Sequence, residues 1–244
     1  MPSSNPVLSP IRFARVVETP SATTMTFDGV MGKTGILLLC VLLPAAYVWY
    51  LFFGAGYTQV GWWIIIGIGG GLVTALITMF KPQWAGFSAP LYGVFQGFAL
   101  GGISAVSEAV YPGIVVPAVA LTFGVLGVMV LLYATRIIKV TQKLRMGITA
   151  AVGAVMFVYL FTILFSLFGV RIPFVFEGGP IGILFSVFVV GLAAMSLLLD
   201  FDRIEWGVAN GAPKYMEWYA AFGLMVTLIW LYIEILRLLG KTRR

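Results

Sequence analysis

The sequence predicts an all-α integral membrane protein, a bundle of seven transmembrane helices. Of its 244 residues, 61% are hydrophobic and only 10% are charged, whereas about a quarter of a soluble domain is charged. Apolar runs of about 20 residues, the length that crosses a bilayer, recur seven times along the chain. Because lipid offers the backbone no hydrogen-bond partner, such runs form helices.

The predicted spans are separated by short links that contain turn-forming residues. Pro82 follows the second run and Gly211 precedes the last, as is typical of chain reversals. No link between spans is long enough to hold a soluble domain, so residues 34–239 form one transmembrane domain. The predicted spans are, in chain order, 34–54, 60–80, 87–107, 113–133, 146–168, 180–199 and 216–239.

Polar or basic tails flank the predicted transmembrane domain. Residues 1–33 hold four prolines and lack the basic start and apolar core of a cleaved signal. We expect this tail to be retained in the cytosol. Residues 240–244 form a short basic tail.

The distribution of Lys and Arg predicts a cytosolic N-terminus. This orientation puts ten basic residues inside and five outside, in line with the positive-inside rule. The strongest inner cluster is the loop 134–145, and Arg171 lies in an outer link. Four of the five outer charges lie near the C-terminus, so a last segment that re-enters and returns remains an alternative to a full crossing.

Composition argues against most catalytic sites. The chain has no histidine and one cysteine, Cys40, which excludes His-based catalysis, His or Cys metal sites and disulfides. The GVMGKT motif at 29–34 has Phe27 where a phosphate-binding loop needs its first glycine, and no strand precedes it. The GGIS motif at 101–104 has no histidine to serve as a base. We therefore expect no enzymatic activity.

The stretch LLLDFDRIEW, which ends the sixth apolar run, contains three acids. Acids beside hydrocarbon are costly and mark a pathway, a switch or the water line. Asp202 and Glu205 are three residues apart and can share a helix face, while Asp200 lies deepest. Asp200 is the candidate functional acid, and the alternative is a helix-end acid held by Arg203 or Lys214.

The reversal between the last two spans sets the depth of these acids. A return at 210–211 puts Asp200 level with Ala221, Glu217 about one turn closer to the cytosol and Thr227 under two turns deeper. Thr227 and Glu217 then bracket Asp200. We expect Asp200 to be submerged. The acids expected in water are Asp202, Glu205 and Glu217.

Three further polar residues are weaker candidates for an ion pathway. Glu234 precedes Arg237 by three residues, so an interfacial ion pair is the simpler interpretation. Glu108 ends the third run at the outer water line, where an acid of an outer vestibule is the alternative. Gln96 lies within the same run. Glu177, in an outer link, is expected to be solvated.

Four segments carry a family resemblance. They are MTFDGVMGKTG at 25–35, LYGVFQGFALGGIS at 91–104, ATRIIKVTQKLRMGI at 134–148 and DFDRIEWGVANGAPKYMEWYAAFGLMVTLIWLYIEILRLL at 200–239. Together they resemble the bacterial branch of the transmembrane Bax inhibitor motif family. The resemblance implies a bundle with the last helix central, a bacterial plasma membrane location and a proton-sensitive calcium leak. It also implies two hydrogen-bonded aspartates, one on each of the last two helices, that tune the gate.

The sequence matches only part of this pattern. Asp200 matches the first aspartate, but Thr227 stands at the second position, and a threonine can donate a hydrogen bond to Asp200 without titrating. The span 60–80 has no basic residue before Lys81 to serve as the family's arginine latch, and Gln96 stands where relatives in this branch often have an acid. The residues expected to gate the path are Asp200, Thr227, Glu217, Asp202 and Glu205, with Asp200 as a calcium contact.

These observations support two functional hypotheses. Clustered carboxylates at a pore mouth supply the charge and the oxygens that calcium prefers, and desolvation favours the neutral form of a carboxyl group. A pH-sensitive leak for calcium or protons, without a cofactor, is the first hypothesis. The second is a non-conducting membrane protein that binds and regulates membrane proteases or stress factors. We expect the lipid bilayer as surroundings and no binding of nucleic acid.

Overall fold

The computed structural model describes residues 24–56, 60–169 and 179–243. This part of the chain holds seven α-helices that are long and apolar enough to cross a membrane, and no β-strand. The predicted all-α fold with seven spans is confirmed. The helices are α1 (Phe27–Phe53), α2 (Gly61–Phe80), α3 (Ala85–Val110), α4 (Val115–Ala134), α5 (Gln142–Leu167), α6 (Pro180–Ala209) and α7 (Met216–Thr242), and a short 3-10 helix, Pro82–Trp84, precedes α3.

Several helices extend beyond the predicted apolar runs because local capping sets where they end. α1 begins at Phe27 rather than at Thr34, since the Thr26 side chain caps it and accepts a hydrogen bond from Gly29 N at 3.1 Å. α6 continues past Leu199 to Ala209. All three acids of the LLLDFDRIEW stretch therefore lie within a helix.

Two helices, α3 and α7, bury more of their surface than the other five. α7 packs against α1, α3, α4 and α6, and α3 packs closely against α1 and α2. Glycines allow the close approach of α3: a Cβ on Gly67 would lie 2.5 Å from Ala99 N, and one on Gly101 would lie 2.6 Å from Ala45 O. The central position of the last helix remains a prediction that these contacts fit.

α5 is attached to the bundle differently from the other helices. It packs chiefly against α6, through a small core separate from the main one. The buried members of this core are Ile148, Val155, Val189, Leu192 and Leu199. α5 thus stands at the edge of the bundle.

The bundle has two ends with different charge. The basic end comprises the start of α1 and the links 81–84, 135–141 and 210–215, and it is closed by a hydrogen bond from Met25 N to Ala212 O at 2.7 Å. At the opposite end, Arg243 donates a hydrogen bond to Pro112 O at 2.6 Å. Residues 1–23 with the tail prolines, and Arg171 and Glu177 of the outer link, lie outside the described residues.

Candidate ion-gating site

Asp200 on α6 is hydrogen-bonded to Thr227 on α7. The Thr227 hydroxyl donates to Asp200 Oδ2 across 2.5 Å. Thr227 is buried and only 13% of the Asp200 side chain is exposed. Arg203 lies one turn away, with Nη1 4.0 Å from Oδ1, but its side chain is two-thirds exposed. Asp200 is therefore largely buried within the bundle, and it bonds to the residue at the second gating position.

The register of α6 against α7 differs from the predicted one. Asp200 lies level with Thr227, not with Ala221, so the prediction that Thr227 lies deeper was wrong. Gly211 adopts a left-handed conformation (φ +65°) as α6 ends, and Met216 N bonds to Pro213 O at 2.9 Å before α7 starts. The link thus runs through 210–215 instead of turning at 210–211, and this shifts α7 by more than a turn.

Glu217 is fully buried, which corrects the expectation that it lies in water. Its carboxylate forms ion pairs with Lys33 and with Lys214, the latter at 2.9 Å. It also accepts hydrogen bonds from the backbone N–H and the hydroxyl of Thr26, both at 2.9 Å. These partners come from α1 and from the link before α7, so Glu217 anchors the start of α1 and does not bracket Asp200.

Residues 24–33, which we call the N-terminal strap, fit closely over this carboxylate. A Cβ on Gly29 would collide with the Glu217 carboxyl group, and Met25 is buried against Gly207 of α6. An isolated β-bridge joins Thr24 to Pro213. The strap therefore holds the α6–α7 link through backbone, side-chain and packing contacts together.

Asp202 and Glu205 each have their own cation from a neighbouring helix or link. Asp202 pairs with Arg145 of α5, and Glu205 pairs with Arg136 at 2.5 Å and accepts a hydrogen bond from Tyr133. The bond to Glu205 raises the pKa of the Arg136 guanidinium. Both acids are partly exposed. Asp202 and Glu205 thus lie near each other, but each is neutralised by its own arginine.

Two of the weaker candidates, Glu234 and Glu108, lie toward the opposite end and have structural partners. Glu234 is buried, forms the expected ion pair with Arg237 at 3.1 Å and accepts a hydrogen bond from Tyr159 at 2.9 Å, while the Arg237 side chain is 28% exposed. The carboxylate of Glu108 caps α4. It accepts from the backbone N–H groups of Gly113, Ile114 and Val115 at 2.5, 3.1 and 3.0 Å. Gln96 is half-buried and lies against Gly71 of α2.

A cavity of about 260 Å³ lies between α1, α3, α4 and α7, away from these acids. Its lining is apolar apart from a few hydroxyl groups. Two of them, on Ser104 and Tyr232, are hydrogen-bonded to each other at 2.6 Å. Such a surface offers a cation little to replace its hydration.

The described residues contain no group of three or more His, Cys, Asp or Glu side chains that could hold a metal ion. Bound calcium takes six to eight oxygens, whereas Asp200 and Thr227 supply one carboxylate and one hydroxyl. A conducting site differs, because an ion that must leave again needs only weak contacts at several positions. The pair therefore fits a contact for a passing ion better than a resident calcium.

Sequence reasoning missed several polar residues that the fold brings together. Lys33 was assigned only to the tail, yet it meets Glu217 across the chain. Lys241, assigned to the basic tail, lies in α7 and is buried, and its Nζ donates to Gly182 O at 3.0 Å and to Ser186 Oγ at 2.9 Å. No pattern in the sequence pairs such distant positions.

The chain matches one protein family over almost its whole length. Residues 5–244 match the family described as Bax inhibitor 1 like. No curated protein and no solved structure matches the chain. The match includes all seven helices and agrees with the resemblance of the four segments, while the assignment to a bacterial branch remains a prediction. The chain belongs to the Bax inhibitor 1-like family of membrane proteins.

Proposed function

We propose that this membrane protein is a pH-sensitive cation leak that passes calcium and is gated at Asp200 and Thr227. The supporting observation is the 2.5 Å hydrogen bond that joins these two residues across α6 and α7. An ionisable residue inside a transmembrane bundle is by default a candidate for a transport role. Asp202, Glu205 and Glu217 each have a cation at hydrogen-bonding distance, whereas the cation nearest to Asp200 among the described residues, Arg203, has its Nη1 4.0 Å away and a side chain that is two-thirds exposed.

Asp200 would act through its charge and through its bond to Thr227. The ionised carboxylate attracts a cation, and a cation that binds Oδ2 competes with the Thr227 hydroxyl for the same oxygen. Losing that hydrogen bond loosens the contact between α6 and α7. Protonation removes the fixed negative charge, so we expect the flux to fall as the pH is lowered.

We propose that the basic end faces the cytosol of a bacterial cell, which puts the gate near the inner surface of the plasma membrane. The support is the concentration of Lys and Arg in the links of that end. The residues that carry it are Lys33, Lys81, Arg136, Lys139, Lys143, Arg145, Arg203 and Lys214.

The deciding experiment measures calcium entry into liposomes that contain the purified full-length protein. Entry above that of protein-free liposomes, falling as the pH is lowered, supports the proposal. Absence of entry at every pH, with protein that is shown to be folded and inserted, contradicts it.

A non-conducting regulator of membrane proteases or stress factors is the second candidate. The observation that favours it is the exposed surface of the 135–141 link, where Ile137 is 70% exposed beside exposed Lys139. An exposed apolar side chain among cations suits contact with a partner that carries acidic residues. This candidate gains support if the folded protein carries no ion.

A further inference from the structure

Five polar residues of α7, spread from Thr227 to Lys241, lie on one face of the helix. They recur at intervals of three or four residues, which is the spacing of one helix face. At 1.5 Å per residue the stripe is about 21 Å long, against about 30 Å for the hydrocarbon core. Its members are Thr227, Trp230, Glu234, Arg237 and Lys241.

The opposite face of α7 lines the 260 Å³ cavity and is apolar apart from the Tyr232 hydroxyl. Its residues there are Met225, Leu228, Ile229 and Tyr232. The helix thus separates an apolar cavity from a polar stripe. A cation that crosses the bundle along α7 finds oxygen ligands on the stripe, namely the Thr227 hydroxyl and the Glu234 carboxylate.

α6 supplies matching polar groups along the same stripe. Asp200 meets Thr227 at one end, and Ser186 with the Gly182 carbonyl meets Lys241 at the other. The Asp200–Thr227 and Ser186–Lys241 contacts have the same antiparallel register, so α6 and α7 lie side by side between these two contacts. One turn from Thr227, Trp230 Nε1 is a buried donor with no hydrogen-bond partner among the described residues. Buried donors nearly always have a partner, and water in the seam would satisfy this one.

α5 forms the third wall of this seam and is tied to it by polar contacts. Arg145 pairs with Asp202 near the basic end. Farther along, the Tyr159 hydroxyl donates to Glu234 Oε1 at 2.9 Å and accepts from Arg237 Nη1 at 2.7 Å. The two bonds of Tyr159 hold α5 against α7, whereas the Arg145–Asp202 pair joins α5 to α6, the helix against which α5 chiefly packs.

We infer that the seam between α5, α6 and α7 is the cation pathway, and that Glu234 is a second cation-binding carboxylate on it. This inference rests on the proposed leak and extends it beyond Asp200. In the structure, which we take as the closed state, the Arg237 guanidinium is paired with the Glu234 carboxylate. The Tyr159 hydroxyl bonds to both side chains and so links them to α5. A divalent cation at Glu234 takes the place of the guanidinium charge, with the Tyr159 oxygen as a further ligand.

Flux measurements on tyrosine variants test the tie between α5 and α7. Tyr159→Phe removes one hydroxyl and leaves the Glu234–Arg237 pair in place, so we expect calcium flux to rise several-fold. Tyr133→Phe is the matched control, because it removes a hydroxyl that donates to Glu205 away from the seam. We expect it to leave the flux near wild type. Glu234→Gln should lower the flux several-fold. Equal flux in the two tyrosine variants contradicts the inference.

Cysteine labelling tests the seam without relying on flux. In a Cys40→Ala background, a small water-soluble thiol reagent should label Trp230→Cys several-fold faster than Met225→Cys. Met225 is the matched control because it is buried on the cavity face of the same helix, and its replacement also leaves space. Equal labelling rates would contradict a water-accessible seam. This test does not depend on Glu234→Gln, so it decides the matter even if that variant does not fold.

If wild-type protein carries no calcium at any pH, the proposed leak itself is contradicted. If it conducts and responds to Asp200→Asn while labelling and tyrosine variants show no difference, only this inference fails.

Discussion

Lys33 of α1 and Glu217 of α7 form an ion pair that joins the first and last helices at the basic end. Glu217 is fully buried and Lys33 is only 17% exposed. Lys214 and two hydrogen bonds from Thr26 complete the surroundings of the carboxylate. Because Lys33 and Thr26 both belong to the N-terminal strap, their bonds to this buried carboxylate attach the strap to the folded bundle.

We expect Glu217→Gln to destabilise the protein substantially. The substitution keeps the shape of the side chain but leaves Lys33 and Lys214 without their counter-charge, and breaking a buried pair costs about 3 kcal/mol. Thermal unfolding of the purified protein in detergent measures the loss. Glu205→Gln is the control, because that acid and its partner Arg136 are both exposed and such pairs contribute about 0–1 kcal/mol. Equal losses in the two variants would show that Glu217 does not anchor the strap.

Gly29→Ala tests the fit of the strap itself. The added Cβ would collide with the Glu217 carboxyl group, whereas a Cβ on Gly32, in the same helix, meets no atom within 4 Å. We expect Gly29→Ala to lower the melting temperature. Gly32→Ala should be neutral or stabilising by about 0.5–1 kcal/mol, since alanine favours the helix. Matching changes at both glycines would contradict the close contact.

The sequence predicted the helices because the membrane imposes a strong constraint on composition. The seven apolar runs correspond one to one with the seven helices, as hydropathy and length require. Helix ends were predicted less well, since they depend on local groups such as the Thr26 cap. Hydropathy carries no information on such capping.

The sequence predicted that Asp200 would be largely buried, but it missed that Glu217 is more deeply buried still, and it did not predict how the acids are partnered. Asp200 was identified from depth along one helix, a local property. Glu217 was assigned to water because its main partner, Lys33, is 184 residues away and no local pattern joins them. The level of Thr227 was missed for a similar reason, because it depends on how many residues the 210–215 link uses.

Asp200→Asn should change calcium flux and its pH response far more than Asp202→Asn. Asn keeps the size of the side chain and removes the group that takes up a proton. Asp202 is the matched control, because it lies two residues away but is paired with Arg145 at the surface of the bundle. Flux into liposomes over a series of pH values makes the comparison. Similar pH profiles for both variants would remove Asp200 from the gate.

The proposed orientation is tested with single cysteines in a Cys40→Ala background. Val140→Cys lies in the link between α4 and α5, and Val175→Cys lies outside the described residues in the link before α6. α5 separates the two positions, so an impermeant thiol reagent should label them from opposite sides, Val140→Cys from the cytosol. Labelling of both from the same side would contradict a full crossing by α5.

Thr227→Asp should restore a pair of carboxylates at the gate. The Thr227 hydroxyl lies 2.5 Å from Asp200 Oδ2, so an aspartate there would face Asp200 at the same depth. Two carboxyl groups this close titrate in two macroscopic steps, whereas a lone Asp200 with a hydroxyl partner titrates in one. We therefore expect a single-step pH dependence of flux for wild-type protein and a dependence spread over a wider pH range for Thr227→Asp.

Glu217→Gln is the control for this prediction, because the bonds of Glu217 go to the strap and to Lys214 and not to Asp200. In variant protein that remains folded, the shape of the pH profile should be unchanged. If instead Thr227→Asp leaves the profile as in wild type and Glu217→Gln abolishes the pH response, the titrating group is in the strap cluster. The gate would then be the contact between α1 and α7, and the Asp200–Thr227 bond would serve only to pack α6 against α7.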